Sequence, residues 1–116
     1  MYNYLGAMQP VSPAKAAELR KAGRAPTNED LEGMPRVCGK GRCENQADAK
    51  AQMRYLYKKE HPEYTQYVDD EHCCFGGVFV FKCSPFELIE KAADETSAEI
   101  IRKIYDDAIE VTPLRF

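Results

Sequence analysis

The most constraining stretch of this sequence is an unbroken run of β-branched and aromatic residues, Val78-Phe79-Val80-Phe81. Side chains of these types favour a strand over a helix of the same length. Successive side chains point to opposite faces of a strand, so phenylalanines fill one face here, and valines with Cys74 fill the other. A strand with two apolar faces is usually covered on both sides. The sequence therefore predicts a strand over residues 73–82 at the centre of a small sheet.

A helix start follows this strand directly. Ser84 is suited to be the N-cap, Pro85 the first helical residue, and Glu87 the partner that completes a capping box. Apolar residues then keep helical spacing almost to residue 110, with a gap at 94–97. Because one helix of that length is unusual in a small domain, the pattern predicts a break or kink at the gap.

The Gly76-Gly77 pair inside the apolar run admits two interpretations. It is either a bulge or a point of close backbone approach within one long strand, or the two-residue turn of a hairpin. The hairpin would place His72 opposite Phe81. Residues 71–75 have poor strand propensity, which favours the single strand.

Two further helices are predicted from caps and apolar spacing. Residues 13–22 follow Ser12 as N-cap and end at Gly23. Residues 46–60 follow Asn45, and every third or fourth position is apolar.

The remaining segments are expected to be less regular. Residues 1–12 predict an irregular or edge segment, and residues 37–43 a loop punctuated by glycines. Residues 64–68 alternate weakly and are a candidate strand.

Together these elements predict an α+β fold in a single domain of 116 residues. A small antiparallel sheet centred on residues 73–82 would be covered by helices near 46–60 and 85–110. A short N-terminal helix near 13–22 would lie beside them.

Composition places the chain among ordinary globular proteins, with 44% hydrophobic and 30% charged residues. No window approaches 18 apolar residues, and the first residues lack the pattern of a secretory signal, so no membrane partner is expected. Five cysteines are too few, and odd in number, for a disulfide scaffold. Reduced thiols and a cytoplasmic location are therefore predicted.

Charge is unevenly distributed along the chain. Residues 36–59 hold seven basic residues against two acids, whereas residues 60–71 hold five acids and neither Lys nor Arg. Most such runs are solvated helix faces, but a basic patch beside an acidic one also suits electrostatic docking. The candidate partner-binding residues are Arg36, Lys40, Arg42, Lys50, Arg54, Lys58, Asp69, Asp70 and Glu71.

Cysteine and histidine residues raise the question of a metal site. A zinc ion needs four thiolate or imidazole ligands, and the candidate combination is Cys38, Cys43, His72 and Cys83, with Cys74 nearby. It depends on the hairpin at Gly76-Gly77, because only that turn brings His72 near Cys83. The simpler interpretation treats the cysteines as small buried hydrophobic residues. No metal or cofactor is therefore expected.

Three functions follow, in order of preference. The first is a small non-enzymatic cytosolic interaction protein, a regulator or inhibitor that docks onto a larger protein or nucleoprotein machine, as inhibitors from mobile elements do. The second is a nucleic-acid-binding module that uses the basic segment 36–59, supported by a structural zinc. The third, a cysteine-dependent enzyme, is disfavoured because neither histidine has a positional reason to reach Cys83.

Overall fold

A computed structural model describes residues 1–69 and 74–111. Helices and a sheet make up most of this part of the chain, which confirms the α+β class. In chain order the elements are β1 (Tyr2–Pro10), α1 (Pro13–Ala22), β2 (Val37–Cys43), α2 (Gln46–Glu60), a 3₁₀ turn (Pro62–Tyr64), α3 (Thr65–Asp69), β3 (Cys74–Phe81), α4 (Pro85–Glu90), α5 (Glu95–Asp107) and β4 (Ile109–Glu110).

The sheet has the strand order β3-β1-β2-β4. β1 pairs antiparallel with both β2 and β3, and this antiparallel pairing was predicted. The two-residue β4 pairs parallel with β2, so the complete sheet is mixed.

The prediction that residues 73–82 lie at the centre of the sheet is wrong. Within the described part of the chain, β3 pairs with β1 alone and lies at an edge. The central strands are β1, which was predicted to be an irregular or edge segment, and β2, which was predicted to be a loop. Both strands contain glycine, which lowers strand propensity, so propensity alone does not predict them.

Those glycines are required by the helix that packs on the sheet. Gly6 and Gly39 pair across β1 and β2, and Met53 of α2 lies over them. A Cβ atom on Gly39 would come within 2.6 Å of Met53 Sδ and 2.9 Å of Leu56 Cδ2. Helix α2 can therefore approach the sheet only where the strands carry no side chains.

The pair Gly76-Gly77 lies within one continuous strand, so the hairpin is wrong. Met8 and Ala7 of β1 face these two glycines in unbroken register, which leaves no extra residue for a bulge. Close approach is observed instead, since a Cβ atom on Gly76 would lie 3.3 Å from the carbonyl oxygen of Ala7.

Helices cover the sheet on both faces. On one face α2 packs over all three long strands around buried Tyr4, Met53 and Tyr57. On the other face α5 packs over β1 and β2, where Leu5, Cys38 and Ile104 form a second cluster.

The cover does not extend fully over β3. Phe79 points to the α5 side beside Leu5, yet 46% of its surface is exposed. The expectation that this phenylalanine is enclosed is wrong, because β3 lies outside the two strands on which α5 packs.

Most helix boundaries follow the capping residues in the sequence. The side chains of Ser12, Asn45 and Ser84 each accept a backbone hydrogen bond at the start of α1, α2 and α4. The predicted break separates α4 from α5, and Asp94 caps α5 by accepting from the Ser97 N–H at 2.7 Å.

The candidate strand at residues 64–68 is wrong, since these residues lie in the 3₁₀ turn and α3. Pro62 begins this turn, and the Thr65 hydroxyl donates to the Pro62 carbonyl at 2.7 Å. A weak alternation over five residues does not outweigh that local turn.

A buried carboxylate fixes the connection between α1 and β2. The Asp30 side chain, 4% exposed, accepts from the Arg24 guanidinium at 2.8 Å and from the Thr27 N–H at 2.9 Å. These hydrogen bonds hold the pKa of Asp30 well below its usual range, and the one from Arg24 has the largest effect. Beside them Leu31 packs with Leu19 in a small separate apolar cluster.

Candidate docking surface

The predicted basic residues do not form one surface, because the sheet divides them. Lys50 and Arg54 lie on α2 and line a cavity against β3. Lys40 and Arg42 line a different cavity together with Tyr105 of α5. Since α2 and α5 cover opposite faces of the sheet, the two pairs lie on opposite sides of the molecule.

On the α5 side, aromatic and acidic groups accompany the two cations. The Lys40 ammonium lies 4.1 Å from the centre of the Tyr105 ring, a cation–π contact. Arg42 is exposed, and Glu110 lines the same cavity. This surface therefore combines cationic, aromatic and acidic side chains and is not a basic patch.

The remaining candidates are dispersed. Arg36 is exposed immediately before β2. Lys58 forms an ion pair with Asp69, so this pair of predicted binding residues contact each other. Asp70 and Glu71 lie outside the described residues.

A groove of about 270 Å³ runs between α2 and β3. Apolar groups of Met8, Met53 and Val78 line it, and Lys50 and Arg54 contribute its cations. Gly76 also lines the groove and adds no side chain to it. We call these six residues the basic groove.

Exposed aromatic side chains lie on the other side of β3. Phe79 is 46% exposed, and Phe86 at the start of α4 is 69% exposed. The Phe86 ring lies 6.1 Å from the Tyr105 ring, and Phe81 lines a cavity with the same tyrosine. We call Phe79 and Phe86 the aromatic flank.

The edge of β3 therefore separates two chemically different surfaces. Its α2 side carries the basic groove and its α5 side the aromatic flank. Sequence reasoning missed this arrangement, because it placed β3 in the interior of the sheet. Gly76 beside an alternating apolar run was the one local indication of a groove.

The cysteine pair at 38 and 43 is not suited to share a zinc ion. Both residues lie on β2, at positions that point to opposite faces of the sheet and are about 16 Å apart along a strand. Both are buried, and burial raises the pKa of each thiol. His72 lies outside the described residues, and the part of the chain that is described holds no group of three potential metal ligands.

Cys83, proposed as a nucleophile only in the third functional alternative, lies between β3 and α4. It is half-buried, and its carbonyl accepts a hydrogen bond from the Asn3 amide at 3.1 Å. His61, a candidate base for that nucleophile, lies at the C-terminal end of α2 between the rings of Tyr57 and Tyr64.

Fold and surface together define an α+β protein with a mixed four-stranded sheet between helices and a chemically two-sided sheet edge. Comparison with protein-family models, curated proteins and solved structures finds no match to this chain. Over the ranges 1–69 and 74–111, every helix is too short or too polar to cross a membrane.

Proposed function

We propose that this chain is a non-enzymatic interaction protein, a regulator or inhibitor, that docks onto a larger protein through the edge of β3. The observation that carries the proposal is the exposed edge itself, where β3 has a paired neighbour on one side only among the described residues. An edge strand presents a row of N–H and C=O groups that can pair with another chain.

The aromatic flank supports this function. Phe86 is 69% exposed, and burying its apolar surface against a partner would be favourable. Aromatic residues are also enriched at protein interfaces. Phe79 and Phe86 lie on β3 and α4, which are consecutive elements of the chain.

Charge supports docking onto a protein over binding to nucleic acid. Nucleic-acid modules gather cations into one stripe that follows the phosphates. Here the cations lie on two sides of the sheet, and Lys58 is paired with Asp69.

Affinity capture tests the proposal. The immobilised chain is incubated with lysate of the cells that produce it, and bound proteins are identified by mass spectrometry. We expect one stoichiometric partner that is lost with Phe86→Ser. Tyr55→Ser is the matched control, because Tyr55 is 45% exposed on α2 and outside the docking surface.

Circular dichroism establishes that both variants are folded before the comparison. If no stoichiometric partner is captured at low or at physiological salt, the proposed function is wrong. If the partner is captured equally by both variants, docking takes place elsewhere on the molecule. A steep loss of retained DNA or RNA with rising salt would instead favour the nucleic-acid module.

A further inference from the structure

We infer that the partner contributes an extended segment with acidic residues at alternate positions, which adds to β3 as a new strand of the sheet. This inference rests on the proposed function and specifies the chemistry of the partner. Its acidic side chains would enter the basic groove, and its other side chains would contact the aromatic flank.

The geometry of the sheet selects an extended segment. A strand added at an edge lies about 4.8 Å from its neighbour and forms main-chain hydrogen bonds along its length. β3 offers eight residues in unbroken register with β1, without a bulge or proline to prevent pairing.

Side-chain alternation determines where the residues of the added strand point. Val78 points to the α2 side and Phe79 to the α5 side, so a neighbouring strand also presents alternate residues to the two sides. Gly76 leaves room on the α2 side, because it places no side chain between the added strand and the groove.

Charge complementarity selects acidic residues for the α2 side. Lys50 is exposed, and the side chain of Arg54 lines the groove with it. A carboxylate there would face the Lys50 ammonium, whereas an apolar side chain would remove water from Lys50 without replacing its hydrogen bonds.

Charge also disfavours a second copy of this chain as the occupant. Two β3 edges paired with each other would present Val78 and Gly76 of one copy to the basic groove of the other. β3 contains no Asp or Glu between Cys74 and Phe81, so self-pairing supplies no counter-charge for Lys50.

The test uses a fluorescein-labelled peptide of ten alternating Glu and Val residues with blocked ends. Its binding to the full chain is measured by fluorescence anisotropy, with a Lys-Val peptide as the control probe. We expect saturable binding of the Glu-Val peptide that weakens as salt is raised, and no binding of the Lys-Val peptide.

Two modified peptides test pairing of the backbone without changing the protein. One carries N-methyl groups on the Glu residues, and the other carries them on the Val residues. In an added strand only one alternate set of N–H groups faces β3, so we expect one modified peptide to lose binding and the other to retain it.

A pair of variants tests the groove. Lys50→Glu reverses a charge in the groove, and we expect it to weaken binding roughly three- to tenfold. Lys59→Glu is the matched control, because Lys59 is also exposed on α2 but does not line the groove. It should bind like the unmodified chain.

Several results would overturn the inference. They are failure of the Glu-Val peptide to bind, equal effects of the two methylations, equal effects of Lys50→Glu and Lys59→Glu, or a dimer in light scattering that excludes the peptide. If capture of the partner still depends on Phe86 in any of these cases, the inference fails and the proposed function stands.

Discussion

Substitution of Gly39 by alanine tests the reasoning that glycines let α2 approach the sheet. The added Cβ would lie 2.6 Å from Met53 Sδ and 2.9 Å from Leu56 Cδ2. Both contacts are shorter than carbon and sulfur atoms tolerate, and Met53 is 0% and Leu56 4% exposed, so neither side chain can move into solvent.

The expected magnitude follows from two opposing effects. Overpacking a well-filled core costs about 1–3 kcal/mol, and two close contacts at enclosed side chains place this site in the upper half of that range. Replacing glycine within a strand stabilises by about 0.5–1 kcal/mol, since alanine has less conformational freedom to lose. Gly39→Ala should therefore lower the free energy of unfolding by about 2 kcal/mol.

Gly77→Ala is the matched control. Gly77 also lies within a strand, but nothing lies within 4 Å of the position of its Cβ. Only the entropic effect remains there, and this variant should be as stable as the original chain or more stable, by up to about 1 kcal/mol.

Urea unfolding followed by circular dichroism measures both free energies. A loss of about 2 kcal/mol corresponds to a midpoint lower by roughly 1 M. In a Met53→Ala background the Gly39→Ala effect should shrink by about 1 kcal/mol or more, because the Sδ and Cε atoms that it meets are gone. Equal stability of Gly39→Ala and Gly77→Ala, or simple additivity of the effects at 39 and 53, would show that Met53 does not exclude a side chain at Gly39.

Two further predictions concern buried polar groups. The Tyr57 hydroxyl donates to the Pro35 carbonyl at 2.7 Å, whereas the buried Tyr4 hydroxyl has no partner among the described residues. Tyr57→Phe should therefore lower the free energy of unfolding by about 1–2 kcal/mol and Tyr4→Phe by much less; equal losses in urea unfolding would contradict this. The hydrogen bond from Arg24 lowers the pKa of Asp30 in the folded protein. The ionised carboxylate therefore stabilises the fold fully above about pH 4, and this stabilisation is lost as the pH falls further. Asp30→Asn should accordingly be less stable than the original chain at pH 7, with a difference that narrows below pH 4; a constant difference down to pH 2 would contradict the assignment.

The starts of α1, α2 and α4 were predictable from this sequence, because they are set locally, whereas α3 was mistaken for a strand. Ser12, Asn45 and Ser84 each cap a backbone N–H three residues on, and that spacing is visible in the sequence. The break before α5 was also predictable, from the gap in the apolar pattern at 94–97, and Asp94 caps the helix there.

Strand order was not predictable, because pairing is a long-range property. Nothing near Gly39 or Gly41 in the sequence indicates a strand. Side chains are absent there because of groups that are distant in the chain, such as Met53 over Gly39 and the Val111 carbonyl beside Gly41. The most strand-like run, β3, was assigned to the centre because both of its faces are apolar. In the structure one of those faces carries the half-exposed Phe79 instead.

The candidate site was not predictable either, for the same reason as the strand order. Counting charges identified a basic segment, but alternation along β2 sends Lys40 to one side of the sheet while α2 carries Lys50 on the other. Local patterns report composition along the chain, and a surface depends on which elements the fold brings together.

The position of β1 between two partners has a consequence for the chain while it is being made. Residues 11–73 are synthesised between β1 and the start of β3, which at about 5–20 residues per second takes roughly 3–13 s. During that interval the edge of β1 that later pairs with β3, at Asn3 and Phe81 for example, is open to any other strand. The speed of the ribosome, and not the stability of the finished sheet, determines how long that vulnerability lasts.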